Sequence, residues 1–541
     1  MPGGCAQDGI QIIRTHISSV ILVGAEAYKL KRDIKLPFLD FSTLELRHQF
    51  CDLELEVNRR TAPQIYLEVI PVTGSVDQPE LNGAGEVIDW AVHMQRFESG
   101  KLFSEMAEHE RLTLEHVTSL AHHIAAFHLS LSSLTASEVS HIKGTAHWLL
   151  GSLDEIEALC RDQDNLAQEI CQLRAVSTTE WESCHEFRVN RIEKGWMREC
   201  HGDLHLANIT LIGDEVVAFD AIEFDSDLRR LDLINEIAFP FMDLLANEVP
   251  EHAWRFLNVY LQTTGDYDGL RQLVYFIRYR AVIRAKVALL SMRNDQEPGQ
   301  DRYPEQEQEK EQEPQKKNAR EHIQESTRLY DRFWRYWRIA YAPPIVTDSP
   351  AVFLVGGVSG SGKSTVAEML SRTLGAIWLR ADVERKRLYP NPDPSVRYNA
   401  EATRRTYEHL TRLTEHLVQW GFNVVVDATF LNNDQVKVFC ERIESMQSRA
   451  LRCELYGIVC QASEAVLAER ITRRIAQGAD PSEATLDILA AQRKQLDEKP
   501  LHWPIAVEVI KNDGTLEDLQ NQVKLLRQRL GISSSSRAAP A

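Results

Sequence analysis

Gly357-Val358-Ser359-Gly360-Ser361-Gly362-Lys363-Ser364 decides how the C-terminal third of the chain folds. The stretch satisfies G-x-x-x-x-G-K-[ST]. It follows the apolar run Val352 to Val355 directly and opens a helical pattern over Thr365 to Leu374. A strand before it and a helix after it are the context this motif requires. Its glycines let successive backbone N–H groups turn inward around phosphates, and the helix N-terminus adds partial positive charge. Residues 357–365 are therefore expected to hold a nucleoside triphosphate. Lys363 would reach the β- and γ-phosphates and the Ser364 hydroxyl would ligate Mg²⁺.

Outward from this loop, Asn423 to Val426 is an apolar strand ending in Asp427, the expected second partner of the metal. Ala376 to Leu379 predicts another strand. The alternation of strand and helix reads as an α/β P-loop domain, a parallel sheet covered by helices. Asp382-Val383-Glu384-Arg385 follows the Ala376 strand. With the P-loop, D-x-x-R after the second strand and Asp427-Ala428-Thr429, this half resembles the P-loop kinases that include gluconate kinase, the zeta-toxin type and polynucleotide 5′-kinase. The resemblance implies that Asp382 accepts the proton of an attacking hydroxyl and that Arg385 helps hold the acceptor. It also implies that arginines of a later helix stabilise the transferring phosphoryl group. Arg470 and Arg474 share one face there, with Arg474 preferred.

A second motif lies far upstream, His201-Gly202-Asp203-Leu204-His205-Leu206-Ala207-Asn208, with Ala218-Phe219-Asp220 after a short predicted hairpin. The form H-x-D-x-x-x-x-N resembles a protein-kinase catalytic loop. Gly202 and His205 bring it closer to aminoglycoside phosphotransferases and their choline-kinase-like relatives. The resemblance implies Asp203 as the base that positions an acceptor hydroxyl, and Asn208 and Asp220 as metal ligands. His201 is expected to be structural, and His205 to pack or hydrogen-bond. Strands are predicted at Val20 to Val23, Ala27 to Leu30, Tyr66 to Val72 and Val87 to Phe97, and a helix at Leu44 to Arg60; beyond Leu112 the pattern is mostly helical. Strands first and helices second describe an α+β two-lobed, protein-kinase-like domain. Lys29 and Lys31 fall on one strand face. Lys29 is the preferred partner of the α/β-phosphates, with Glu54 its expected carboxylate and Glu56 the reserve. Two departures stand out: no G-x-G-x-x-G precedes Lys29, and Ala221-Ile222-Glu223-Phe224-Asp225 adds acids after Asp220.

The chain has 541 residues, too many for one ordinary core. A first domain is expected over 1–342 and a second over 345–532, with the junction at Ala342-Pro343-Pro344. Residues 294–318 are almost all Glu, Gln, Lys, Asp and Pro, a composition that cannot offset its ordering entropy, and are expected to be an insertion without a packed core. The tail 533–541 is expected to be disordered. A net charge of -18 argues against a surface that binds nucleic acid at large. Nine cysteines without a C-x-x-C pair fit a reducing, cytoplasmic setting. No signal peptide is read at Met1, and no apolar run approaches the ~20 residues that span a bilayer.

Nearly the whole chain resembles bacterial proteins with an aminoglycoside phosphotransferase-like domain fused to a P-loop kinase domain. The resemblance implies two modules that use ATP and Mg²⁺ and phosphorylate a hydroxyl of a small molecule, sugar or aminocyclitol-like. Two alternatives stay open: a nucleotide or oligonucleotide-end kinase, for which Arg380, Arg385, Lys386 and Arg387 would form a basic groove, and an ATP-binding regulator that transfers nothing.

Overall fold

The computed structural model describes residues 10–15, 17–36, 39–160, 164–296, 312–446, 452–477 and 483–530. Most of the expected insertion, at 297–311, and the whole expected tail lie outside the described residues. The chain divides into two compact units. The first is 1–249 with 275–341, and the second is 250–274 with 342–541.

Unit 1 begins with β1 (Ile10–Arg14), β2 (Ser18–Val23), β3 (Glu26–Lys31), helix α1 (Leu44–Asn58), β4 (Tyr66–Ser75), β5 (Gln78–Leu81) and β6 (Val87–Gln95). The strands form one antiparallel sheet in the order β1-β2-β3-β6-β4-β5. Helix α1 starts at Thr43, whose side chain accepts from the Leu46 N–H, an N-cap that relieves one orphan donor. It packs Cys51 against Tyr66 and Val92 and brings Glu54, fully buried, under the sheet. Farther along, the hairpin β7 (Ile209–Ile212) and β8 (Glu215–Ala218) separates the two halves of the second motif. Helix α2 (Leu233–Ala246) is apolar nearly all round and buried, as a helix in the middle of a core must be.

The chain then supplies α3 (Pro250–Thr264) and returns through α4 (Leu273–Gln296). Residues 250–274, expected within a first domain of 1–342, are compact with the second unit instead. The reason is a sheet edge. Unit 2 carries β9 (Ala351–Gly356), α5 (Lys363–Leu374), β10 (Ala376–Arg380), α6 (Ala381–Leu388), β11 (Asn423–Asp427), β12 (Glu454–Gln461), α7 (Glu464–Gln477), α8 (Leu486–Glu498) and β13 (Val507–Lys511). Its five strands are all parallel, in the order β10-β11-β9-β12-β13. That leaves β10 on an edge, and an edge presents unpaired backbone groups. Helix α3 covers them. The Asn258 amide donates to the Ala376 carbonyl at 2.9 Å and accepts from the Trp378 N–H at 2.7 Å. One side chain thereby does what a neighbouring strand would.

Replacing Asn258 by leucine leaves both groups buried and unpaired, each worth about 1–3 kcal/mol. Unfolding of unit 2 in the full-length chain, followed by denaturant titration, is expected to lose about 2–4 kcal/mol. An unchanged midpoint would mean that the Asn258 bonds contribute nothing to the edge.

Candidate active sites

In unit 2 the P-loop follows β9 and ends at Gly362, where α5 starts. Gly357, Gly360 and Gly362 take φ of 137°, 83° and 88°, a region that side chains disfavour. A Cβ on Gly357 would lie 2.4 Å from the Cys460 carbonyl oxygen, and one on Gly362 1.9 Å from Asn512 Nδ2. Conformation and space both demand glycine at these two positions. Lys363 Nζ donates to the Val358 carbonyl at 3.2 Å. The loop's own N–H of Ser359 donates to Gln492 Oε1, on α8, at 2.8 Å.

A cavity of about 1210 Å³ opens from this loop and is lined by Lys363, Ser364, Asp382, Arg385, Asp427 and Arg474, among others. Pockets for one drug-sized ligand run to about 300–1,000 Å³, so the volume suits two reactants side by side. Ser364 and Asp427 line this cavity together, close enough for the serine to lower the Asp427 pKa. Burial pushes the Asp427 carboxyl up from the usual aspartate value, against Lys363 and Arg380. Arg385 is buried, donates to the Arg397 carbonyl at 3.2 Å and to Thr403 Oγ1 at 3.3 Å, and leaves its Nε without a partner. Arg470 reaches the Gly360 carbonyl at 3.5 Å and Asn512 Oδ1 at 3.3 Å, whereas Arg474 donates to the Ala484 carbonyl at 2.9 Å. Arg470 thus touches the P-loop, whereas Arg474, one turn farther along α7, is bound to the Ala484 carbonyl, although both line the cavity.

In unit 1 both strand lysines reach one carboxylate. Lys29 Nζ lies 2.7 Å from Glu54 Oε1 and 2.6 Å from Asp220 Oδ1. Lys31 Nζ lies 2.5 Å from Glu54 Oε2 and pairs with Glu223. The difference is burial: Lys31 is sealed in, while Asp220 keeps 43% of its side chain exposed. Lys29 is therefore the lysine beside the accessible acid, and Glu56 points to solvent on the other side of α1. Burial works against the Glu54 charge, but Lys29 and Lys31 outweigh it and hold its pKa at about 2.

Asp203 sits on a loop fixed from several sides. Asn208 Nδ2 donates to the Asp203 carbonyl at 2.9 Å and to its Oδ2 at 3.1 Å. His205 Nε2 lies 3.4 Å from the same carboxylate, and its Nδ1 accepts from the Ala207 N–H at 3.2 Å. Burial would raise the Asp203 pKa, but His205 and Arg284 hold it well below the usual carboxylate range. His201 pairs its Nε2 with the Phe219 carbonyl at 2.9 Å, and burial lowers its pKa to about 4, so it stays neutral.

Several supports escaped the sequence. Glu236 on α2, fully buried, accepts from the N–H of His201 at 2.7 Å and of Gly202 at 3.2 Å. Arg280 on α4 donates to the Gly202 carbonyl at 2.9 Å. Asp243 accepts from the Leu206 N–H at 2.9 Å and from Tyr336 at 2.6 Å. One signal for them was present: Glu236 and Asp243 interrupt Leu233–Ala246, whose other residues are almost all apolar, and buried acids occur where they are paired.

Both sites offer the oxygen donors that a hard divalent cation takes. In unit 1 these are the Asp220 carboxylate and Asn208 Oδ1, since the Asn208 nitrogen is spent on Asp203. In unit 2 they are Ser364 and Asp427.

Residues 352–499 match the family model described as an AAA domain. A protein of Mycobacterium tuberculosis described as uncharacterised is 26% identical over 500 residues, covering 89% of this chain and 89% of its own. Among solved structures, a putative kinase from Chloroflexus aurantiacus aligns at 21% identity, covering 33% of this chain and 97% of its own, with a TM-score of 0.28. A choline/ethanolamine kinase family protein from Mesorhizobium loti aligns at 11% identity, covering 61% and 92%, with a TM-score of 0.33. The AAA-domain match falls on unit 2 and takes in its P-loop.

Proposed function

We propose that the protein is an ATP-dependent phosphotransferase with two active sites, each passing the γ-phosphoryl group to a hydroxyl of a small molecule, sugar or aminocyclitol-like. The observation that carries this reading is repeated in both units. In unit 1 Lys29 lies beside Glu54 and Asp220, and Asn208 bonds Asp203; in unit 2 one cavity is lined by Lys363, Ser364, Asp382 and Asp427. Both sets are of the kind that phosphates, Mg²⁺ and an acceptor hydroxyl would need. Such transfer is mostly positioning and electrostatic stabilisation.

In unit 1, Lys29 is held by Glu54 to meet the α- and β-phosphates, and Asp203, charged at neutral pH, orients the acceptor hydroxyl. Asn208 and Asp220 would hold Mg²⁺, which neutralises charge on the phosphates when bound. In unit 2, residues 357–365 cradle the triphosphate, and Asp382 faces the cavity from the first turn of α6. In each case the acceptor oxygen bonds to the γ-phosphorus as the bond to the β–γ bridging oxygen breaks. The hydroxyl proton passes to the carboxylate. Arg385 holds the acceptor, and Arg470 and Arg474 face the transferring group.

A small acceptor is favoured over an oligonucleotide end by where the basic residues of α6 go. Arg387 pairs with Glu384 at 3.1 Å and bonds the Gln262 carbonyl at 2.7 Å. Lys386 pairs with Glu483 at 3.2 Å, and Arg385 is buried. These side chains do not form an open basic groove. No described helix is long and apolar enough to cross a membrane, and the eight described cysteines are free thiols, which supports a cytoplasmic setting. The test is incubation of the full-length chain with γ-labelled ATP, Mg²⁺ and a panel of metabolites and oligonucleotides. Label is expected on a small polyhydroxylated compound; label confined to oligonucleotide ends, or ATP bound without transfer to any compound, would sink the reading.

A further inference from the structure

The chain segment after Asp220 is tied down residue by residue. The Asp220 N–H donates to the Tyr66 hydroxyl at 3.2 Å, the Ala221 N–H to Asn58 Oδ1 at 2.7 Å and the Ile222 N–H to the His201 carbonyl at 3.1 Å. The carbonyls of Ile222 and Glu223 accept from Arg229 at 2.7 Å and 3.2 Å. All of these hold backbone. The Glu223 side chain adds an ion pair with Lys31, on the strand that carries Lys29, and both partners are buried.

That pair has no counterpart in the phosphate-binding pair itself, which needs only Lys29 and Glu54. Once Asp220 is engaged by a cation, two lysines on one buried carboxylate would leave an uncompensated positive charge, which is costly away from water. Glu223 supplies the missing negative charge. Lys29, Lys31, Glu54 and Glu223 then sum to zero, and Asp220 is the fifth charge, half-exposed and available to a cation. Asp220 also has a φ of 62°, a left-handed conformation that is uncommon for a residue with a side chain, although aspartate tolerates it better than most.

We propose that Glu223 is a positioning residue for Asp220: through Lys31 it anchors the 220–223 segment to β3, and so fixes the metal-binding carboxylate against the phosphate-binding lysine. The inference rests on the reading of unit 1 as a site for ATP and Mg²⁺. It gives a purpose to Glu223, one of the acids after Asp220 that depart from the protein-kinase pattern.

The test uses the full-length chain carrying Lys363→Ala, so that unit 1 dominates the signal, with a fluorescent ATP analogue as probe. Binding is measured across a Mg²⁺ titration and, separately, in EDTA. Glu223→Gln keeps the shape and removes the charge. It is expected to raise the Mg²⁺ concentration at half-effect about tenfold, as loss of a residue behind a metal ligand does, with the EDTA affinity unchanged. The double variant Lys31→Met with Glu223→Met leaves no orphan charge and covers the case in which Glu223→Gln does not fold. It is expected to show the same Mg²⁺ shift, because the anchor is gone. A parent-like Mg²⁺ dependence in the double variant, or an equal loss with and without Mg²⁺, would overturn the proposal. A parent whose unit 1 binds no nucleotide with Mg²⁺ fails earlier, and refutes the phosphotransferase reading of that unit along with this inference.

Discussion

Lys363→Ala is expected to stop ATP use by unit 2 and to halve nucleotide binding by the whole chain, from two equivalents to one. The lysine stands at the first position of α5, directly after the glycine loop, and lines the cavity with Ser364 and Asp427. Alanine keeps the helix start and the glycine conformations, so the loop should still fold. What is lost is the positive charge that would meet the β- and γ-phosphates. Removing one such preorganised group costs about 10²- to 10³-fold in rate. Calorimetric titration with a non-hydrolysable ATP analogue reads the stoichiometry, and γ-labelled ATP reads the transfer. Two equivalents bound at parent affinity by the variant would remove the P-loop from the nucleotide site. Glu54 and Lys29 lie in the other unit, so the remaining equivalent tests the proposed site of unit 1 without interference.

The two sites differ in how far the sequence disclosed them, for a physical reason. The P-loop and the 201–208 loop are contiguous: their chemistry depends on neighbours a few residues apart, which a sequence displays directly. The strands around Lys29 and the helix bearing Glu54 were legible for the same reason, from alternation and helical spacing. Lys29 and Lys31 were not separable, because strand alternation puts them on one face and only burial distinguishes them. Asn258 was invisible as a support. Its partners are two backbone groups of β10, and backbone groups carry no residue identity. Pattern alone placed 250–274 with the helices on either side of it; the open edge of a parallel sheet, more than 100 residues later in the chain, claims it instead. The Glu223 acid was visible as a departure, but its meaning required Lys31 to be seen at its side.

Asp203→Asn should silence transfer by unit 1 while leaving its nucleotide in place. The half-buried carboxylate is held charged by His205 and Arg284, and Asn208 bonds both the Asp203 carbonyl and its Oδ2. Asparagine preserves the size of the side chain and one oxygen, so the loop should persist through Glu236 and Arg280, which hold it through backbone. It cannot accept the acceptor's proton. A general base contributes about 10²- to 10⁴-fold, and the loss should fall on kcat, with nucleotide affinity kept, in a Lys363→Ala background that isolates unit 1. The pH profile supplies an independent check. A native pKa depressed below the ordinary ~3.9 of aspartate keeps the base charged as the pH falls, and that contribution is lost only on acidification through the depressed value. The parent's rate should therefore show no acid limb near pH 4 from this group. A limb there, or an Asp203→Asn variant with undiminished transfer, would assign the base elsewhere, and loss of nucleotide binding in that variant would make Asp203 a binding residue instead.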